Sequence, residues 1–343
     1  MAEIIPIRSL REAARPDDRC QATTRSGRRC RNRAVDGQGF CRMHSAGPAA
    51  ARPRPAPAKP ERIGPFRAET IEELVDFVRR RLTGEYEIDD FGFDPELTEK
   101  VLMRLARPLY ERWWRIDFVG LENVPAGGSA LLVSNHAGTV PWDSLMMKFG
   151  VLDHHPAHRH VRLLAADLAF RMPFIGPLAR KSGNTLATEA DTFRLLERGE
   201  LLGVFPEGYK GVGKAFRDRY KLQRFGRGGF IEIALRTKTQ IVPVSIVGSE
   251  EIYPMIYNAR WLARAGGFPY FPITPFFPWL GPLGLIPLPS KWIIEFGEPI
   301  PTDGFPDDAW QDSMLVFDLT DQVRDVIQQT LYKNLMARRS VFF

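Results

Sequence analysis

The sequence predicts an α/β fold, a mixed, largely parallel central sheet flanked by helices, with a small separate segment on its N-terminal side. Three observations predict it. Short apolar runs at residues 130–134, 201–205 and 241–247 alternate with longer segments whose apolar residues recur at helical spacing. The apolar fraction is 44% over 343 residues, enough core for one large domain or two smaller ones. The three cysteines, Cys20, Cys30 and Cys41, all precede residue 45, so no disulfide can hold the main body together.

The elements follow in order. Residues 1–17 form an arm, 18–45 hold the cysteines, 46–66 are an Ala/Pro-rich extended linker, and 67–343 are the main domain. Residues 69–82 read as a helix with Ile71, Leu74, Val75 and Val78 on one side. A second helix opens at Asp94-Pro95-Glu96 and runs to about residue 115; proline suits its first turn, where an N–H would lack an intrahelical partner anyway. Residues 130–134 are a buried strand, Pro141 opens a helix through 149, and 162–166 form a strand. Thr188 caps a helix to residue 198, with Glu189 and Asp191 at its positive end and Gly199 as its stop. A strand at 201–205, a helix at 228–236, strands at 241–247 and 292–296, and an amphipathic helix at 312–336 complete the domain. Pro243 interrupts its strand, which suits an edge or a bulge.

Charge is unevenly placed. Residues 1–62 hold 14 Lys/Arg and 6 Asp/Glu, a net +8, so the remainder of this +6 chain is slightly acidic. The basic arm suits an anionic partner, nucleic acid, protein or acidic lipid, or is simply a solvated tail. No apolar run near Met1 has the length of a signal peptide. The longest apolar uncharged stretch, 268–289, carries seven prolines, which excludes a single helical span there. The expected location is the cytoplasm, on the inner face of the cell membrane if lipid is contacted.

Candidate chemistry gathers after the 130–134 strand. His136 follows its carboxyl end, where clefts form in α/β sheets. Asp143 falls in the first turn of the next helix, where free N–H groups favour a carboxylate. The pair fits a general base and its orienting carboxylate. On spacing alone, a histidine satisfied by turn backbone fits equally well. Downstream, Phe205-Pro206-Glu207-Gly208-Tyr209-Lys210-Gly211 ends a strand in a Gly-rich turn bearing one acid and one base. Glu207 can accept from a substrate hydroxyl or brace the loop, and Lys210 can meet a phosphate.

The ordered blocks Asn135-His136 with Asp143, Phe205-Pro206-Glu207-Gly208, and Val242-Pro243-Val244 resemble the glycerolipid acyltransferase family, typified by lysophosphatidate acyltransferases, over about residues 110–300. The resemblance implies an O-acyltransferase. His136 would deprotonate a lipid hydroxyl, which attacks an acyl thioester of CoA or acyl carrier protein, with no further cofactor for catalysis. Asp143 takes the orienting role, Glu207 and Gly208 fall in the acceptor block, and Lys210 stands where the family has a phosphate-binding arginine. Two departures mark this chain. Six residues separate His136 from Asp143 where the family has four. The block at 181–186 lacks the family's arginine, a place that Arg180 or Lys181 can take.

An enzyme that acylates lipids must reach a bilayer. The helix near 97–118 offers Leu102, Leu105, Leu109, Trp113 and Trp114 among arginines, and residues 261–292 are aromatic, proline-interrupted and nearly uncharged. Each reads either as a membrane contact or as cover for the domain's own core. In the cysteine segment, Cys20, Cys30, Cys41 and His44 are spaced C-x9-C-x10-C-x2-H, the donor set of a closed structural zinc site that would stabilise so short a segment. The rival to an enzyme is an inactive lipid-binding scaffold carrying a zinc-dependent arm for nucleic acid or protein.

Overall fold

The computed structural model of the chain describes Gln21 and residues 71–342. The cysteine segment and the linker therefore lie outside the described residues, Gln21 apart. Among the described residues nine strands form: β1 (Asp117–Val119), β2 (Ala130–Ser134), β3 (Val161–Ala165), β4 (Thr185–Leu186), β5 (Leu201–Val204), β6 (Gln240–Val247), β7 (Tyr257–Asn258), β8 (Pro272–Ile273) and β9 (Ile293–Phe296). Seven make one sheet in the order β1-β9-β6-β2-β5-β3-β4. Every neighbouring pair in it is parallel except β6 with β9. The mixed, largely parallel sheet expected from the sequence is thus observed. β7 and β8 form a separate antiparallel pair.

β2 lies between β5 and β6, with Ala130 opposite both Leu201 and Gln240, and all five of its residues are buried. A central parallel strand is covered on both faces, so it reads as one apolar run without alternation. The pleat still sorts its side chains. Ala130 and Leu132 join the core formed with Trp114, Met146, Met147 and Trp292, while Leu131 and Val133 join that of Leu195, Ile231, Leu235 and Ile327. The first layer carries the helix Trp142–His154 and the second the helices Glu189–Glu197, Gly229–Arg236 and Ser313–Ala337. The last helix buries Val316, Leu319, Val323, Ile327 and Leu331, one stripe at three- and four-residue spacing, and Asp312 caps it by accepting from Met314 and Leu315 N–H.

Several boundaries and faces differ from expectation. The helix opened by Pro141 continues to His154, and the 162–166 strand begins one residue earlier. In the helix Ile71–Thr83, Val75 and Val78 face solvent and Phe77 is buried; the side chains of Ile71 and Leu74 are not described. The second helical stretch ends at Trp113, and Asp117–Val119 is strand β1. Pro243 sits in a central strand, not at an edge, and a bulge accommodates it. From Val244 back to Ile241 is three residues, while their partners Phe296 and Ile300 are four apart. The extra residue falls where proline has no N–H to give, and Pro243 still accepts from Gly297 N–H at 2.7 Å.

Among the described residues, no helix is long and apolar enough to cross a membrane.

Candidate active site

The site grows from the carboxyl end of β2. Asn135 extends the strand with its side chain: Nδ2 donates to Ile246 O at 3.0 Å and Oδ1 accepts from Ile246 N at 2.8 Å. This clamp fixes where the chain leaves the sheet, and His136 is the next residue. Gly138 (φ +96°) and Thr139 (φ +63°) then turn the chain through left-handed conformations. A Cβ on Gly138 would lie 2.6 Å from Ser249 O, so only glycine fits. Successive tight bonds, Val140 N–H to Gly138 O and Trp142 N–H to Val140 O, at 2.6 and 2.7 Å, coil the spacer on itself. The six-residue spacer is consumed by these turns, which bring Asp143 back beneath His136.

Asp143 is fully buried, and both oxygens of its carboxylate are engaged. Oδ2 accepts from His136 Nδ1 at 2.8 Å and from Ala137 N–H at 2.7 Å, while Oδ1 accepts from Ser144 N–H at 2.8 Å. A carboxylate only accepts, so Nδ1 must carry the proton. In the neutral tautomer that this fixes, the lone pair resides on Nε2, which has no partner among the described residues. The His136 side chain is 15% exposed and packs 4.6 Å from the Phe205 ring. An imidazole with its Nδ1 held by a carboxylate and its Nε2 open is the arrangement that proton abstraction requires.

The Pro206–Gly213 turn supports this histidine from behind. Glu207 is buried and both of its oxygens are taken: Oε1 accepts from His136 N–H at 3.0 Å and Oε2 from Gln223 N–H at 2.6 Å. Glu207 therefore braces the His136 backbone. Lys214 Nζ lies 3.6 Å from Glu207 Oε2 and 3.1 Å from Glu250 Oε1, forming a buried acid–base–acid row. Burial pushes the Glu250 carboxyl up to about 7, against the pull of Lys214. Gly211 allows the close approach: a Cβ there would stand 2.5 Å from His136 O. Gly208 (φ +53°) starts the short helix Tyr209–Val212, and Lys210 is exposed on it.

Arg180 and Lys181 do not join this cluster through any contact among the described residues. They end the helix Ile175–Lys181, where Arg180 covers the Phe170 ring and Lys181 the Tyr86 ring. Cys20, Cys30, Cys41 and His44 lie outside the described residues, within which no group of three or more His, Cys, Asp or Glu gathers as a metal site. Sequence reasoning missed Asn135 as a clamp, Lys214 and Glu250 as a buried pair, and Tyr270, whose hydroxyl donates to Thr139 O. Lys214 had a signal in the glycine-rich turn before it; Tyr270, more than 130 residues from its partner, had none.

Comparison with known proteins bears on this geometry. Residues 115–247, which hold His136, Asp143 and Glu207, match the family model described as Acyltransferase. Uncharacterized proteins of Mycobacterium bovis and Mycobacterium tuberculosis are each 56% identical over 276 residues, covering 80% of this chain and 77% of the relative. A 1-acyl-sn-glycerol-3-phosphate acyltransferase of Borreliella burgdorferi is 24% identical over 153 residues, 42% of this chain and 57% of that one. Among solved structures, the 1-acyl-sn-glycerophosphate acyltransferase of Thermotoga maritima aligns with a TM-score of 0.47 at 21% identity, over 78% of this chain and 90% of that one.

Proposed function

We propose that this chain, whose residues 115–247 match the family model described as Acyltransferase, moves a fatty acyl group from a thioester, acyl-CoA or acyl carrier protein, to a hydroxyl of a lysophospholipid or related glycerolipid. The observation that carries this reading is the His136–Asp143 contact with Nε2 left open. Nε2 takes the proton of the acceptor hydroxyl as its oxygen bonds to the thioester carbonyl carbon. The carbon–sulfur bond breaks, the thiol leaves with the proton from His136, and an ester remains. Asp143 holds the tautomer before the step and stabilises the imidazolium during it. Lys210, exposed beside the brace turn, offers an ammonium to an acceptor phosphate. The similarity to the Borreliella burgdorferi 1-acyl-sn-glycerol-3-phosphate acyltransferase supports an acceptor of the lysophosphatidate type.

The test is turnover of labelled acyl-CoA with a panel of lysophosphatidate, other lysophospholipids, monoacylglycerol and diacylglycerol. His136→Ala is expected to lower kcat by about 10³-fold or more on whichever acceptor reacts. Undiminished turnover in that variant would remove the proposed base. Reaction confined to acceptors without phosphate would remove the role given to Lys210.

A further inference from the structure

From Ile252 to Ser290 the chain carries no Asp, Glu, Lys or His; its only charges are Arg260 and Arg264, both exposed. This excursion leaves the sheet after β6 and returns at β9. Ile252, Tyr253 and Met255 at its start are buried, but many of its other large side chains face out: Trp261 is 69% exposed, Trp279 72% and Leu283 66%, with Ile256, Leu280 and Ile286 also exposed. Apolar exposure on this scale marks a contact surface. The backbone beneath is ordered by its own bonds. β7 pairs with β8, and Thr274 Oγ1 accepts from Phe276 and Phe277 N–H at 3.2 and 2.8 Å.

In the other candidate, the helix near 97–118, exposure is mixed: Leu105 is 68% exposed and Trp113 40%, while Leu102 and Leu109 pack in part against the core. Trp114 is fully buried and stacks on Trp292 with ring centroids 4.8 Å apart. Trp113 instead donates Nε1–H to Pro287 O at 2.9 Å, and Tyr253 donates to Leu285 O at 2.6 Å, so both anchor the base of the excursion. On the side toward the site, Tyr270 of the same excursion holds Thr139 O in the His136–Asp143 spacer, and its ring covers Gly213.

We propose that this excursion docks on an anionic lipid bilayer through its exposed side chains Trp261, Trp279, Leu280, Leu283 and Ile286, next to the His136 loop to which Tyr270 ties it. Three features select this occupant. Tryptophans and aliphatic side chains on a rigid, proline-rich backbone suit the headgroup level, where they bury apolar surface without taking polar backbone into hydrocarbon. The absence of any acid, with two arginines, gives charge complementarity to anionic headgroups. Tyr270 ties the excursion to the catalytic spacer, so a docked lipid lies near Nε2; the proposal rests on the acyl-transfer reading in this respect alone.

Flotation of the full chain with phosphatidylcholine vesicles containing about 30 mol% phosphatidylglycerol tests it, at low salt and at about 0.5 M NaCl, which screens the basic arm. The comparison is with Trp279→Glu/Leu283→Glu, two exposed positions where folding is undisturbed, and with a serine pair at the same sites. Wild type is expected to float at both salt concentrations, and both variants about tenfold less at high salt. Equal flotation of variant and wild type, or no flotation of wild type, overturns the proposal. So does sedimentation without vesicles in which wild type is a dimer and the variants are monomers, because these side chains would then meet a second copy. His136→Ala is expected to float like wild type, so loss of its turnover and loss of docking are read separately.

Discussion

Asp143 and Lys148 stand five residues apart on one helix, and both are fully buried. Asp143 has a partner for each oxygen: His136, Ala137 and Ser144. Lys148 Nζ has none among the described residues; it lies 6.0 Å from the Phe93 ring and near the Arg162 guanidinium, another cation. Burial, aided by Arg162, pulls the Lys148 ammonium down to about 7. At the catalytic pole Lys214, whose side chain is 4% exposed, lies between two carboxylates. A buried charge with full hydrogen bonding specifies geometry, whereas one without a partner is carried as a cost. The paired charges surround the histidine whose position matters, and the orphaned one lies toward the sheet edge.

The largest expected effect breaks the contrast at its functional end. Asp143→Asn keeps the shape but can present an N–H to Nδ1, favouring the wrong tautomer; kcat for acyl transfer is expected to fall about 10³–10⁴-fold with little change in melting temperature. A loss below tenfold would mean Asp143 does not orient the base. Next, Lys214→Met leaves Glu207 and Glu250 buried without their cation and is expected to cost about 3–5 kcal/mol in denaturant unfolding. Adding Glu250→Gln should recover part of that loss, because only one uncompensated carboxylate then remains.

Lys148→Met sharpens the comparison from the other side, since it should stabilise the chain by about 2 kcal/mol at neutral pH. The sign follows from proton binding. The unfolded lysine holds its proton to about pH 10.5, while the folded one releases it near 7, so wild-type stability from this group rises with pH between those values. The variant should lack that rise, and urea midpoints at pH 7 and pH 10 measure it. A destabilised variant would show that Lys148 has a role that burial does not explain. The smallest effect belongs to Tyr270→Phe, which removes the bond to Thr139 O: about 1 kcal/mol of stability and a few-fold drop in kcat. Unchanged kcat would uncouple the excursion from the spacer.

Much of the fold was legible because its signals are local. A central parallel strand is apolar along its whole length, and β2 was read to the residue. The Thr188 cap, accepting from Asp191 N–H at 3.2 Å, is a contact over three residues. The faces of the Ile71–Thr83 helix were not legible, since periodicity shows that a stripe exists but not what covers it. Glu207 shows the same limit within the site. Its sequence position permitted a substrate contact or a brace, and only the approach of His136 N–H and Gln223 N–H made it a brace.

The sequence by itself determined the strand that delivers His136, the pairing of His136 with Asp143 as candidates, and the acid-free character of residues 252–290. These are properties of residue type and near-neighbour order. Tertiary structure alone decided that a six-residue spacer closes to 2.8 Å, that Trp114 is core while Trp279 is surface, and that Lys214 is paired while Lys148 is not. Each of those depends on segments distant along the chain arriving at one point. Burial and pairing are set by those arrivals, and local spacing does not encode them.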